Sequence, residues 1–267
     1  MNNKVILIIL DGLSYTTGYE CMGYLQALVT KKKATLYRIK CELPSLSRPL
    51  YECLLTGVSP IDSGIVNNKI TRISFNDSIF SLASKQGYIT AAAAYHWMSE
   101  LFNRAPWDLY NDRFVFDEKL NIQNGCFYCW DSYPDEAVLF DAEFLIKKAN
   151  PDFLLIHTMN IDDCGHQYGF NSSQYRNMVR NIDNLLSSRI EYWLNIGYEI
   201  IITSDHGMNN DCNHGGILQE ETETPCYLIG NSFSHQEKEI LQIDICGLVC
   251  EMLGLKHSKK IPDGILI

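Results

Sequence analysis

The chain has 267 residues, 46% of them hydrophobic, and a formal net charge of -10. Such a length and apolar content suit one large α/β domain or two small ones with a buried core. The acidic balance argues against a nonspecific nucleic-acid binder, which carries a basic patch, but leaves a nucleotide substrate open because bound metal ions supply positive charge locally.

The first residues, MNNKVILIILDG, hold one lysine and a short apolar run that leads directly into Asp11. The run is too short for a signal peptide and lacks a small-residue cleavage site, so it predicts a first buried strand. No segment approaches the roughly 18 apolar residues of a membrane span, and a cytoplasmic protein with no membrane partner is expected. Apolar, β-branched runs then alternate with helical patterns, predicting strands at 5–10, 34–41, 88–94, 152–157, 199–203 and 226–229. Helices are predicted at 18–31, 48–55, 78–85, 135–148, 173–194 and 241–253. This alternation implies an α/β fold with a mainly parallel central sheet and helices on both faces, in a single domain over 1–267. Residues 101–130 are aromatic-rich and irregular, with Asn124-Gly125 as a turn signal, so 98–135 is expected to form a lid or a substrate-pocket wall.

Ten cysteines in a chain of this size without a secretion signal are expected to be reduced, small apolar residues. Cys126 and Cys129 form a CxxC, but a structural zinc needs four ligands and no second pair exists. Cys246 and Cys250 mark one buried helix face.

Short polar motifs follow the predicted strands. ILDG places Asp11 after the first, DDCGH places Asp162 and His166 after the 152–157 run, and SDHGM places Asp205 and His206 after EIIITS. Ligands of open α/β sheets bind beyond the carboxyl ends of the strands, so these residues converge on one edge. His214, in NHGG eight residues after His206, lies within reach of the same cluster. Imidazole and carboxylate are the usual ligands of zinc-class ions, and this set suits two divalent ions, zinc or manganese. Taken alone, Asp11 is equally a turn residue, Asp163 rivals Asp162, and His214 is equally a loop histidine. Ser47, in PSLSRPLYECLLTG, fits a helix N-cap, with Pro49 in the first turn. The same geometry favours phosphate, and a hydroxyl beside a metal pair is a nucleophile for phosphoryl transfer. Ser45 competes for that role.

With these motifs the chain resembles the alkaline phosphatase superfamily, most closely its nucleotide pyrophosphatase/phosphodiesterase branch. The resemblance runs from VILIILDG to NHGG, about three quarters of the chain. In that family the nucleophile lies nine residues before the threonine of a TG pair. Thr56-Gly57 is such a pair, which selects Ser47 over Ser45. SPIDSGIVNN resembles the stretch whose asparagine contacts a phosphate oxygen, and by register that asparagine is Asn68. The resemblance implies an alkaline-phosphatase-like fold and two metal ions, usually zinc. One would be held by Asp11, Asp205, His206 and Ser47, the other by Asp162, His166 and His214. Asp183, in NIDNLL, is read as structural.

The sequence also departs from the family pattern. Serine replaces the phosphodiesterases' usual threonine, and Arg48 and Leu50 replace phenylalanine and asparagine, which leaves diester against monoester preference open. Arg48 is read as binding a second phosphate charge or as solvated on its helix, the solvated reading being favoured. Tyr95-His96-Trp97 follows a strand where relatives carry a Trp-Pro turn. His96 and Trp97 are accordingly read as substrate-stacking groups or as sheet-edge packing, with Arg104 and Trp107 behind them.

The implied activity is hydrolysis of a small phosphate ester or nucleotide, in which Ser47 attacks phosphorus and water resolves a phosphoseryl intermediate. A phosphomonoesterase of the same superfamily is the alternative. A sulfatase requires an arginine where Tyr51 stands, a phosphosugar mutase typically carries a large inserted domain, and a noncatalytic binding protein would be expected to lose ligands that are all present.

Overall fold

The computed structural model describes residues 3–236 and 238–267. Its strands are β1 (Lys4–Leu10), β2 (Ala34–Lys40), β3 (Thr90–Tyr95), β4 (Phe114–Phe116), β5 (Asn124–Tyr128), β6 (Phe153–Thr158), β7 (Tyr198–Thr203) and β8 (Glu223–Ile229). They form one sheet in the order β2-β8-β7-β1-β6-β3-β5-β4. From β7 to β5 neighbours pair in parallel, and antiparallel pairings add β8 and β2 on one side and β4 on the other. The helices are α1 (Tyr15–Cys21), α2 (Gly23–Thr30), α3 (Ser47–Thr56), α4 (Pro60–Ser63), α5 (Ile79–Lys85), α6 (Trp97–Phe102) and α7 (Leu109–Asp112), followed by α8 (Asp135–Ala149), α9 (Asn160–Tyr168), α10 (Ser173–Ser187), α11 (Ile190–Asn195), α12 (Gln219–Thr222) and α13 (Asp244–Met252).

A central parallel strand is covered on both faces, which is why β1 reads as the unbroken run KVILIIL. Val5, Leu7 and Ile9 face the core shared with Leu54 of α3, Phe80 of α5 and Leu248 of α13. Ile6, Ile8 and Leu10 face the opposite core, with Leu25 of α2, Val138 of α8 and Ile182 of α10. The chain therefore leaves β1, β6, β7 and β3 at one edge, and β2 ends at that edge too, because two antiparallel steps restore its direction. Among the described residues no helix is long and apolar enough to cross a membrane.

Three expectations are corrected. The helix predicted over 18–31 is two helices, broken at Met22, whose ψ of 73° is not helical. The Asp183 carboxylate holds the second start by accepting the Tyr24 and Leu25 N–H groups at 2.8 and 3.2 Å. The helix predicted over 173–194 stops at Ser187, and Arg189 in the break pairs with Glu143 of α8 at 3.0 Å. Residues 98–135 are not simply an irregular lid, since β4 and β5 within them belong to the central sheet. Asn124-Gly125 opens β5 rather than a turn. The missing side chain makes room for a ring, as a Cβ on Gly125 would lie 2.3 Å from Phe127. The cysteines are free, with Cys126, Cys246 and Cys250 buried.

Asp183→Ala should strip two helix-start N–H groups of their acceptor. A loss of about 1–3 kcal/mol in unfolding free energy is expected by urea denaturation, without loss of the sheet signature in circular dichroism.

Candidate active site

Carboxylates and imidazoles meet at the carboxyl edge of the sheet. Asp11 follows β1 directly, Asp205 and His206 follow β7, Asp162 lies in the first turn of α9, and His214 sits on the irregular chain before α12. Asp11, Asp205 and His206 have ligand atoms within 4.8 Å of one another, and so do Asp162, His206 and His214. His206 belongs to both groups, and its ring stacks on that of His214 with centroids 3.7 Å apart. His166 stands at the exposed mouth, its Nε2 3.3 Å from Asp162 Oδ2 and its ring 5.0 Å from that of His214. The loops interlock tightly: a Cβ on Gly12, at φ +71°, would lie 2.8 Å from the Asp162 Cα.

Hydrogen bonds decide which atoms face the centre. A carbonyl oxygen only accepts, so Nδ1–H of His206 donates to Gly207 O (2.9 Å), that of His214 to Ser45 O (2.8 Å) and that of His166 to Cys212 O (2.9 Å). Nε2 of His206 and of His214 is thereby left with a lone pair, the form in which imidazole binds a metal, whereas His166 Nε2 is hydrogen-bonded to Asp162 Oδ2 at 3.3 Å. Each carboxylate in turn keeps one buried oxygen without a hydrogen-bond partner: Asp11 Oδ1, Asp162 Oδ1 and Asp205 Oδ2. Those oxygens lie 3.5 Å from His206 Nε2, 3.7 Å from His214 Nε2 and 3.2 Å from His206 Nε2, respectively. Acceptors facing acceptors, with no protein donor between them, fit divalent cations. Asp11, Asp205 and His206 would hold one, and Asp162, His214 and His166 the other.

The electrostatics agree with that fit. Burial, then the neighbouring Asp11 charge, pushes Asp205 well above the usual carboxylate range and raises Asp162. Burial also raises Asp11, but its His157 hydrogen bond and the His206 charge outweigh this and leave it low. His214 is pushed down to about 4 by burial and by His206 beside it, whereas its hydrogen bond to Asp162 raises His166 to about 9.

Ser47 is the first residue of α3, with Leu46 at the cap, so its hydroxyl is not spent on capping. Its Oγ lies 3.0 Å from His206 Nε2. Ser45 is committed elsewhere, donating to Gly216 O at 2.8 Å and accepting from Gly215 N at 3.0 Å. Asp163 lies outside the cluster and accepts from Gln167 at 2.9 Å. Asn68 reaches α3, its Oδ1 accepting the Arg48 N–H at 3.0 Å.

The solvated reading of Arg48 is overturned. Its side chain is 2% exposed, pairs with Glu100 at 2.7 Å and lies 4.4 Å over the Trp97 ring. His96, partly buried at the start of α6, packs on Trp107 with centroids 4.9 Å apart, and burial lowers its pKa. Trp107 N–H donates to Glu100 at 3.1 Å, and Arg104 pairs with Asp112 at 3.3 Å. The aromatic group thus braces the back of α3 through Arg48. Sequence reasoning missed Glu100, His157, Tyr128 and Tyr51 as members of this neighbourhood. Only Tyr51 carried a signal, lying one helical turn after Ser47.

The fold and the family match place the chain in the alkaline phosphatase superfamily. Residues 5–225 match the type I phosphodiesterase/nucleotide pyrophosphatase model, and the chain belongs to that family. Human GPI ethanolamine phosphate transferase 2, catalytic subunit, is 23% identical over 99% of this chain and 28% of its own length. The corresponding transferase of Schizosaccharomyces pombe is 24% identical over 81% of this chain and 31% of its own. The chain spans less than a third of these curated relatives. Human ectonucleotide pyrophosphatase/phosphodiesterase 5 shares the fold with a TM-score of 0.76 at 16% identity, covering 99% of this chain and all of the other. A 2-O GAG sulfatase shares it at 0.64 and 14%, covering 97% of this chain and 72% of the other.

Two measurements test the site. Removing metal with EDTA should lower the unfolding temperature in scanning calorimetry, and zinc should restore it; an unchanged temperature would contradict the fit. The second concerns Asp135, which clasps the start of α9: its N–H donates to Asn160 Oδ1 at 3.0 Å and its Oδ1 accepts the Asn160 N–H at 3.2 Å. Burial raises the Asp135 carboxyl to about 7. The folded state therefore keeps a proton that the unfolded chain releases near pH 4, so this group's contribution to stability falls as pH rises and is lost by about pH 7. Asp135→Asn should flatten that part of the stability–pH curve.

Proposed function

We propose that the chain is a metal-dependent phosphoric ester hydrolase that works through a phosphoseryl intermediate on Ser47. The observation that carries this reading is the Ser47 Oγ, 3.0 Å from the His206 Nε2 lone pair that both ligand groups share. When bound, two divalent ions supply Lewis-acid activation of the hydroxyl and neutralise charge on the phosphoryl oxygens. Ser47 Oγ forms a bond to phosphorus as the ester P–O bond breaks and the alcohol leaves. Water then attacks the phosphoserine, releasing phosphate or its monoester and restoring Ser47. Asn68, whose Oδ1 takes the Arg48 N–H, offers its side-chain amide N–H to a phosphoryl oxygen, and the Ser47 N–H at the positive end of the α3 dipole is the second donor. A nucleotide or comparable diester is the substrate class, in keeping with the murine phosphodiesterase 5 whose inactive variant is known in complex with AMP.

A second reading differs only in the acceptor. The curated relatives are ethanolamine phosphate transferases, so an alcohol in place of water would make the same intermediate serve transfer. Incubating the protein with bis-p-nitrophenyl phosphate, with p-nitrophenyl phosphate, and with the diester plus glycerol separates these cases. Faster turnover of the diester and unchanged product with glycerol support the hydrolase, whereas glycerol phosphodiester as main product supports transfer. Ser47→Ala should lose about 10³-fold or more of activity. Full activity in that variant would remove Ser47 from the mechanism.

A further inference from the structure

His157, the penultimate residue of β6, is completely buried, yet it is wired oppositely to His206 and His214, which keep Nε2 lone pairs. Its Nε2 lies 3.1 Å from Asp11 Oδ2. A carboxylate oxygen accepts, so this nitrogen carries the proton and offers a cation no lone pair. Its Nδ1 faces the Tyr128 hydroxyl at 3.1 Å, and the same hydroxyl lies 3.0 Å from the His157 carbonyl oxygen, so the ring is held from behind. The Tyr51 hydroxyl donates to Asp11 Oδ2 as well, and its ring meets the His157 ring edge-on at 4.7 Å. Two donors therefore engage Oδ2, while Oδ1 has none and lies 3.5 Å from His206 Nε2.

We propose that His157 and Tyr51 are positioning residues that lock the rotation of Asp11, so that Oδ1 alone is presented to the cation shared with Asp205 and His206. The inference rests on the metal-site reading above. Asp162 has no comparable pair of donors: only His166 Nε2 meets its Oδ2, at 3.3 Å, and its Oδ1 has no hydrogen-bond partner. Loss of the lock should consequently weaken one cation site and spare the other. Outer donors of this kind typically control metal affinity by about 10–100-fold.

The test is a titration of metal-free protein with zinc against a chromophoric chelator, for the wild type, His157→Leu, His157→Gln and Tyr51→Phe. The wild type should take up two zinc ions. His157→Leu should weaken one of them about 10–100-fold and leave the other unchanged. His157→Gln, which retains a side-chain N–H donor, should recover most of the loss, and Tyr51→Phe should weaken the same site. Equal affinity at both sites in His157→Leu and Tyr51→Phe overturns the inference and leaves the metal reading standing. A wild type that binds no zinc overturns both. Parallel weakening of both sites, with no recovery in His157→Gln, assigns His157 a general structural role and also overturns the inference. Tyr51→Phe removes a single oxygen atom and decides the matter if the leucine variant does not fold.

Discussion

The rest of the structure answers to one electrostatic conflict: buried carboxylates and imidazole lone pairs held in contact with no donor between them. Two unit charges 4 Å apart repel by about 4 kcal/mol at an effective dielectric near 20, and Asp11, Asp162 and Asp205 crowd one small volume. Apolar packing alone gives no reason for such a cluster. Its cost is met by the two cores on either face of β1, which hold the sheet rigid beneath it. A bound cation would relieve it locally, which would make folding energy and ion binding two sides of one equilibrium.

The parallel sheet explains how residues separated by about 200 positions come together. With β7, β1 and β6 aligned, Thr203, Ile9 and His157 share a register, and each strand delivers its functional residue just beyond that line. Ser47 arrives from outside this set. It comes on α3 after β2, at the antiparallel side of the sheet, and depends on the loop at 41–46 to cross to the centre.

Much of this was legible because strand and ligand share a sequence signature. An apolar run that stops at Asp11, or EIIITS that stops at Asp205-His206, declares both the strand and what it carries. All six predicted strands lie in the sheet, with ends shifted by up to three residues. The signature failed where shape rather than hydrophobicity decided. Nothing local distinguishes Gly125 as a strand residue that yields space to Phe127, or shows that Met22 breaks a helix whose second half is started by Asp183 from afar. Arg48 was misjudged for the same reason, since its burial depends on Glu100 and Trp97 arriving from another segment. His157 left no trace because its chemistry is set by Asp11 and Tyr128, partners that only the tertiary fold supplies.

The pairing of Ser45 with the glycine loop has a mechanical meaning. The stretch that carries Ser47 grips Gly215 and Gly216 through the Ser45 hydroxyl, and the His214 ring through the Ser45 carbonyl oxygen. A displacement of that segment would pull on the His214 loop, which His166 Nδ1 also ties to α9 through Cys212 O. Ser47 and the imidazoles of the edge are thus carried by one hydrogen-bonded frame that runs from the 41–46 loop through 212–216 to α9.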